Sequence, residues 1–200
     1  MSIDYRSKIR SIAKKREIEL LLHFTQAANL PGIVEHGILP RRELEKDMYM
    51  AYASDKYRLD DNLDAVSVSI SRINKAMFEA KRRKSNHVEW LVVALSPEIL
   101  WTHSCKFCWC NAARNEIRNH MGRRDGPWAL DMMFSRSSDA DNELPMNCPT
   151  DPEAEVQVLE PIAPSYIMGA IVNRSWMVQP VQRALEGLLG DSPVVVVNEF

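Results

Sequence analysis

Residues 18–37 read Ile18-Glu19-Leu20-Leu21-Leu22-His23-Phe24-Thr25-Gln26-Ala27-Ala28-Asn29-Leu30-Pro31-Gly32-Ile33-Val34-Glu35-His36-Gly37. The run from Ile18 to Phe24 is short and apolar, the pattern of a buried strand. Thr25 is placed to cap a following helix, because its hydroxyl can accept from the backbone N–H groups that a helix start leaves unpaired. Leu30, Ile33 and Val34 supply a helical stripe, and Gly37 stands where a glycine ends a helix. The segment reads as strand, turn, helix, with a histidine at the strand's end.

Upstream, residues 1–19 form a basic helical lead-in carrying Arg6, Lys8, Arg10, Lys14, Lys15 and Arg16. The apolar run Leu20–Leu22 is too short for a secretion signal, and nothing approaches the ~20 apolar residues of a membrane helix. A soluble, cytoplasmic chain with no membrane partner is expected. Downstream, residues 40–62 read as loop plus a short helix. Ala65-Val66-Ser67-Val68-Ser69-Ile70 alternates as a half-buried strand, and residues 72–86 read as a basic helix or loop. Trp90–Leu95 is a strongly apolar strand, Pro97–Leu100 a turn of helix, and Asn111–Arg124 helical by composition. Ala154–Leu159 and Tyr166–Val172 read as further strands, Pro180–Leu189 as an amphipathic helix, and Pro193–Val197 as an edge strand. Four or five short strands among helices and long loops make the fold α+β rather than doubly wound.

The chain has 200 residues, 46% of them hydrophobic and 26% charged, which suits one globular domain over 1–200, closed by a C-terminal helix and tail over 180–200. Its net charge of −2 hides segregation. Residues 72–84 carry +5 and residues 101–124 carry +4, whereas 139–160 hold seven carboxylates and no Lys or Arg. Basic segments interleaved with Phe78, Trp90, Trp101, Phe107 and Trp109 have the composition of a single-strand groove, where cations track phosphate and rings stack on bases. The same rings also suit a core, Trp90 and Trp101 above all.

Cys105-Lys106-Phe107-Cys108-Trp109-Cys110 with a distant Cys148 admits two readings, a zinc site or a strand with buried thiols. Only one CxxC-like knuckle is present, so no metal is expected. There is no phosphate-cradling glycine loop, no HExxH and no GxSxG. Three residues stand out: His23, Arg58 in a polar loop, and Glu155 inside the alternating strand. Taken singly, they fit a core histidine, a solvated cation and an outward-facing carboxylate.

Their order changes that. Leu22-His23-Phe24-Thr25-Gln26-Ala27-Ala28-Asn29-Leu30-Pro31-Gly32-Ile33-Val34-Glu35-His36-Gly37-Ile38-Leu39 resembles the opening motif of the DarT family, NAD-dependent ADP-ribosyltransferase toxins acting on nucleic-acid bases. The resemblance continues through Arg58 to Met77, and resumes at Asn111-Ala112-Ala113 and at Ala154-Glu155-Val156-Gln157-Val158. It implies a compact ADP-ribosyltransferase-like fold with flanking helices and NAD, the co-substrate, in a cleft between two small sheets. It places His23, Phe24 and Thr25 at the nicotinamide–ribose end and Gly32 where a helix approaches NAD. Glu155 and Arg58 become the catalytic residues. A carboxylate suits that place because breaking the nicotinamide–ribose bond develops positive charge on the ribose. Arginine is too basic to serve as a free base, so Arg58 is expected to orient NAD phosphate or the target base, with a proton relay as the other role.

The expected activity is transfer of ADP-ribose to a base (thymine, guanine or adenine) of single-stranded DNA or RNA, in a toxin–antitoxin or phage-defence setting. The expected partner is an antitoxin or a reversing ADP-ribosyl glycohydrolase. A protein acceptor and a non-catalytic nucleic-acid-binding module are the rival readings.

Overall fold

Trp90-Leu91-Val92-Val93-Ala94-Leu95 is apolar at every position, and all six residues are buried. Such a strand belongs in the middle of a sheet, where both faces and both edges are covered. The computed structural model describes residues 3–46, 63–85, 88–135, 144–191 and 193–198. Their strands are β1 (Leu21–Gln26), β2 (Val66–Ile70), β3 (Trp90–Leu95), β4 (Cys105–Cys108), β5 (Glu155–Val158), β6 (Ile167–Val172) and β7 (Val195–Val197). The first four helices are α1 (Ile3–Lys15), α2 (Leu30–His36), α3 (Arg41–Lys46) and α4 (Lys75–Lys84). The others are α5 (Ile99–Thr102), α6 (Asn115–Arg118), α7 (Pro127–Met132) and α8 (Val178–Leu189).

The α+β class is as expected. The seven strands run in the order β4-β5-β2-β1-β3-β6-β7, all antiparallel except the β6–β7 pair. The two expected small sheets are two halves of this one sheet, and their junction is narrow. β2 pairs with β1 only at Leu21↔Ile70 and Leu22↔Ser69, while its other residues, Val66 to Val68, pair with β5. β2 changes partner halfway along, so the sheet forks between β1 and β2.

One face holds the main core. Leu21, Val68, Ile70, Leu91, Val93, Val156 and Ala170 join Ile9 of α1, Ile33 of α2, Leu130 of α7 and Leu185 of α8 in a single cluster. Strand alternation turns Leu22, Phe24, Ser67, Ser69, Val92, Ala94, Cys108, Glu155 and Gln157 to the other face, which carries only small apolar clusters. There α4 brings Phe78 into edge contact with Phe24 and Trp90, with ring centroids 5.5 and 5.8 Å apart.

Three local expectations are corrected. The first strand begins at Leu21, because Ile18 closes the turn after α1, its N–H donating to Ala13 O. Thr25 lies within β1 rather than capping a helix; its Oγ1 accepts from Asn29 Nδ2 at 3.0 Å and ties down the turn before α2. The stretch 111–124 is mostly turns and holds only the four-residue α6. Gly37 ends α2 as expected, at φ +83°. No helix among the described residues is long and apolar enough to cross a membrane.

Candidate active site

His23 and Glu155 both lie near the point where β2 changes partner. His23 follows Leu22, the last β1 position paired with β2, and its Nδ1 lies 3.0 Å from Ser67 O on the diverging half of β2. A carbonyl only accepts, so Nδ1 carries the hydrogen and Nε2 is the ring's acceptor in the neutral form. The imidazole spans the gap that the strands open. From Phe24 to Gln26 the β2-facing edge of β1 has no strand partner among the described residues. Backbone donors and acceptors outside a strand ladder can hold a ligand's amide.

Glu155 opens β5, one step before Val156, whose partner Val68 adjoins Ser69. Register thus sets Glu155 beside Ser69, across β2 from Leu22 and on the same face as both. Its Oε1 accepts from Ala112 N at 3.1 Å. That donor is oriented by a local turn, in which Asn111 Oδ1 accepts from Ala113 N at 2.9 Å. Arg114 then fastens the turn to the segment entering β5, binding Asp151 at 2.9 Å and also Glu153. On the other side, Arg72 donates to Pro149 O and Thr150 O, at 2.5 and 3.2 Å. A carboxylate with a backbone N–H on one oxygen and braced chain on both flanks is held in a set orientation.

The remaining candidates divide. Phe24 contributes its backbone to β1, while its ring packs with Phe78 and Trp90 under Lys81 Nζ, 5.2 Å from the centroid. A Cβ on Gly32 would meet nothing within 4 Å, so the space beside α2 is open there. Arg58 lies outside the described residues. The Asn-Ala pair was visible as a motif, but the Ala112 N–H that it presents to Glu155 was not. Arg114 and Arg72 gave no signal beyond their charge.

Cys105, Cys108 and Cys110 are core, and Cys148 is half-buried. Burial pushes Cys105 and Cys108 up to about 12 and raises Cys110, where the Glu116 charge adds to it. No group of three or more His, Cys, Asp or Glu among the described residues is placed to hold a metal ion. Of the rings proposed for stacking, Phe78, Trp90 and Phe107 are fully buried, so they are packing residues. The acidic run is partly spent on the basic one through Arg114, which binds Asp151 and Glu153, while Glu160 accepts from the Ser104 backbone N–H at 2.7 Å.

Residues 22–200 match the family model described as "ssDNA thymidine ADP-ribosyltransferase, DarT". No curated protein matches in sequence. Among solved structures, Thermus sp. 2.9 DarT in complex with carba-NAD+ superposes with a TM-score of 0.63 at 16% identity, over 91% of this chain and 96% of that one. Thermus sp. 2.9 DarT in complex with ADP-ribosylated ssDNA gives 0.60 at 15% identity, over 91% and 95%. Thermosipho africanus DarTG in complex with ADP-ribose gives 0.51 at 20% identity; 90% of this chain is covered, but it spans only 49% of that one. At these identities the likeness is one of fold.

Proposed function

Because the chain belongs to the DarT family of ssDNA thymidine ADP-ribosyltransferases, we propose that it moves ADP-ribose from NAD to thymidine in single-stranded DNA, with Glu155 as the catalytic carboxylate. The observation that carries this is Glu155, held by the Ala112 N–H on the strand next to β2, close to where β2 changes partner and His23 bridges β1 to β2. The donor supplies the scissile nicotinamide–ribose bond, and the fork supplies its surroundings. The β1 edge from Phe24 to Gln26 offers backbone groups to the nicotinamide amide, and His23 offers a ring nitrogen to the ribose. The open space at Gly32 admits the rest of the dinucleotide.

Glu155 accepts a ribose hydroxyl and stabilises the positive charge that develops as the bond breaks, an effect strongest where water is excluded. The Ala112 N–H holds one of its oxygens and so fixes the carboxylate's orientation. Arg58 keeps its proposed role as orienter of phosphate or base. Thymidine as the base and DNA as the strand follow the family. A toxin role, with an antitoxin or a reversing ADP-ribosyl glycohydrolase as partner, is part of the same proposal, supported by the fold likeness to the DarTG chain.

The test is transfer of label from NAD to matched oligonucleotides. Single-stranded DNA containing thymidine should be labelled, and the same strand lacking thymidine, its RNA counterpart and protein should not. Nucleoside mass spectrometry then identifies the base. Glu155→Ala should cost at least about a hundredfold in rate with the fold retained. Label appearing only on protein would overturn the proposal, as would full activity in the variant.

A further inference from the structure

Outside the fork, a cavity of about 360 Å³ opens beside β4, lined among others by Lys106, His120, Arg123, Arg124 and Asp125. Register ties it to the candidate active site. Cys108 pairs with Glu155 and Lys106 with Gln157, so Lys106 stands on the face of the sheet that carries Glu155, two residues along the strand. That is a separation of roughly 7 Å. The cavity lies toward the β4 edge, on the side of Glu155 away from the β1–β2 fork.

Its charge is not all spent. Asp125 takes Arg123, at 3.0 and 2.7 Å. Among the described residues, Lys106 has no ion pair, and Arg124 has none either, its Nη1 donating to Cys108 Sγ at 3.0 Å. His120 Nε2 is buried and has no hydrogen-bond partner among the described residues. The His120 ring is also half of a platform. It lies nearly parallel to Trp128, with 12° between planes and centroids 5.9 Å apart, and meets the edge of Trp109 at 4.9 Å. Trp109 is fixed by its Nε1–H bond to Glu116. Trp128 is 54% exposed, although it is large and apolar.

We infer that this cavity and the Trp128–His120 platform hold the acceptor strand beyond the modified base, the cations taking a backbone phosphate and Trp128 stacking on a neighbouring base. The inference rests on the DNA-modifying function proposed above and gives that function a path for the strand. Single-stranded DNA is favoured because a half-exposed ring packed on His120, next to cations that have no ion pair among the described residues, matches the alternation of base and phosphate. A duplex would keep its base faces covered.

The experiment measures binding of fluorescein-labelled single-stranded DNA in two lengths, one a single thymidine nucleotide and one extending well past it. The long strand should bind the wild-type protein more tightly. Trp128→Ala should weaken it about tenfold, the usual worth of one stacked base, and Trp128→Phe should recover most of that. Lys106→Gln should lower the slope of log affinity against log salt by about 0.7, one phosphate's share.

Neither position should alter the short strand. Equal long-strand affinity and salt slope in folded variants would overturn the inference, as would no binding by wild type or an effect on RNA alone. Should wild type bind but transfer nothing to DNA, the proposed activity falls while these binding measurements still decide the path.

Discussion

Two glycines, one inside a short helix and one just past its end, are there for opposite reasons. Gly37 has φ +83°, and a Cβ there would come within 2.2 Å of Ile162 O, the acceptor of Ile38 N. Gly37→Ala should therefore cost at least ~2 kcal/mol from the left-handed backbone and the clash together, read as a lowered denaturant midpoint. Gly32 has open space around it and no unusual φ. Inside α2 an alanine is the better residue, so Gly32→Ala should raise stability by roughly 0.5–1 kcal/mol. If NAD occupies that space, the same variant should raise the KM for NAD several-fold. Higher stability with an unchanged KM would remove Gly32 from the site. Sequence could nominate both glycines, but only the neighbours of each show which one the fold needs.

At the scale of elements, β2 and β3 were legible because burial leaves a period in the sequence. Val66-Ser67-Val68-Ser69-Ile70 alternates since one face meets the core, and Trp90–Leu95 does not since both faces are covered. The stretch 111–124 was misjudged because composition cannot see the Asx turn at Asn111 or the grip of Arg114 on Asp151 and Glu153. The thiols of β4 were ambiguous for a similar reason, since CxxCxC spacing suits a metal knuckle and a strand alike. Their burial has a measurable consequence. With pKa values pushed up to about 12, Cys105 and Cys108 should resist a thiol reagent at pH 8 in the native protein and react on unfolding. Rapid native labelling at either position would mean that β4 opens.

For the whole molecule, acid is the weak side. Burial lowers the pKa of His103 from 6.5, with Glu160 and a backbone bond at Pro161 opposing. The unfolded chain then binds a proton that the folded one refuses, so this contribution is full above pH 6.5 and lost as pH falls toward the folded value. Glu160 is held below 4.5 by hydrogen bonds from Ser104, and Asp125 below 3.8 by Arg123. Their stabilisation is complete above those values and lost as pH falls through the folded ones. Stability should decline in two stages, and the lower one is small because Glu160 is exposed. Melting temperature against pH reads both; His103→Gln should remove the upper stage and Glu160→Gln should flatten the lower. An unchanged upper stage in the first variant would place that titration elsewhere.

By itself the sequence determined the α+β class, the strand-turn-helix opening and the order His23, Glu155, because local periodicity and a motif's order survive without coordinates. Only the tertiary structure decided that two half-sheets share a two-pair junction, that His23 bridges it and that Ala112 N holds Glu155. It also uncovered Trp128, which no spacing marks as exposed. The physical reason is common to all of these. A strand's change of partner, a backbone N–H aimed at a side chain and a ring left open to solvent depend on residues far apart in the chain, and they leave no period for a sequence to show.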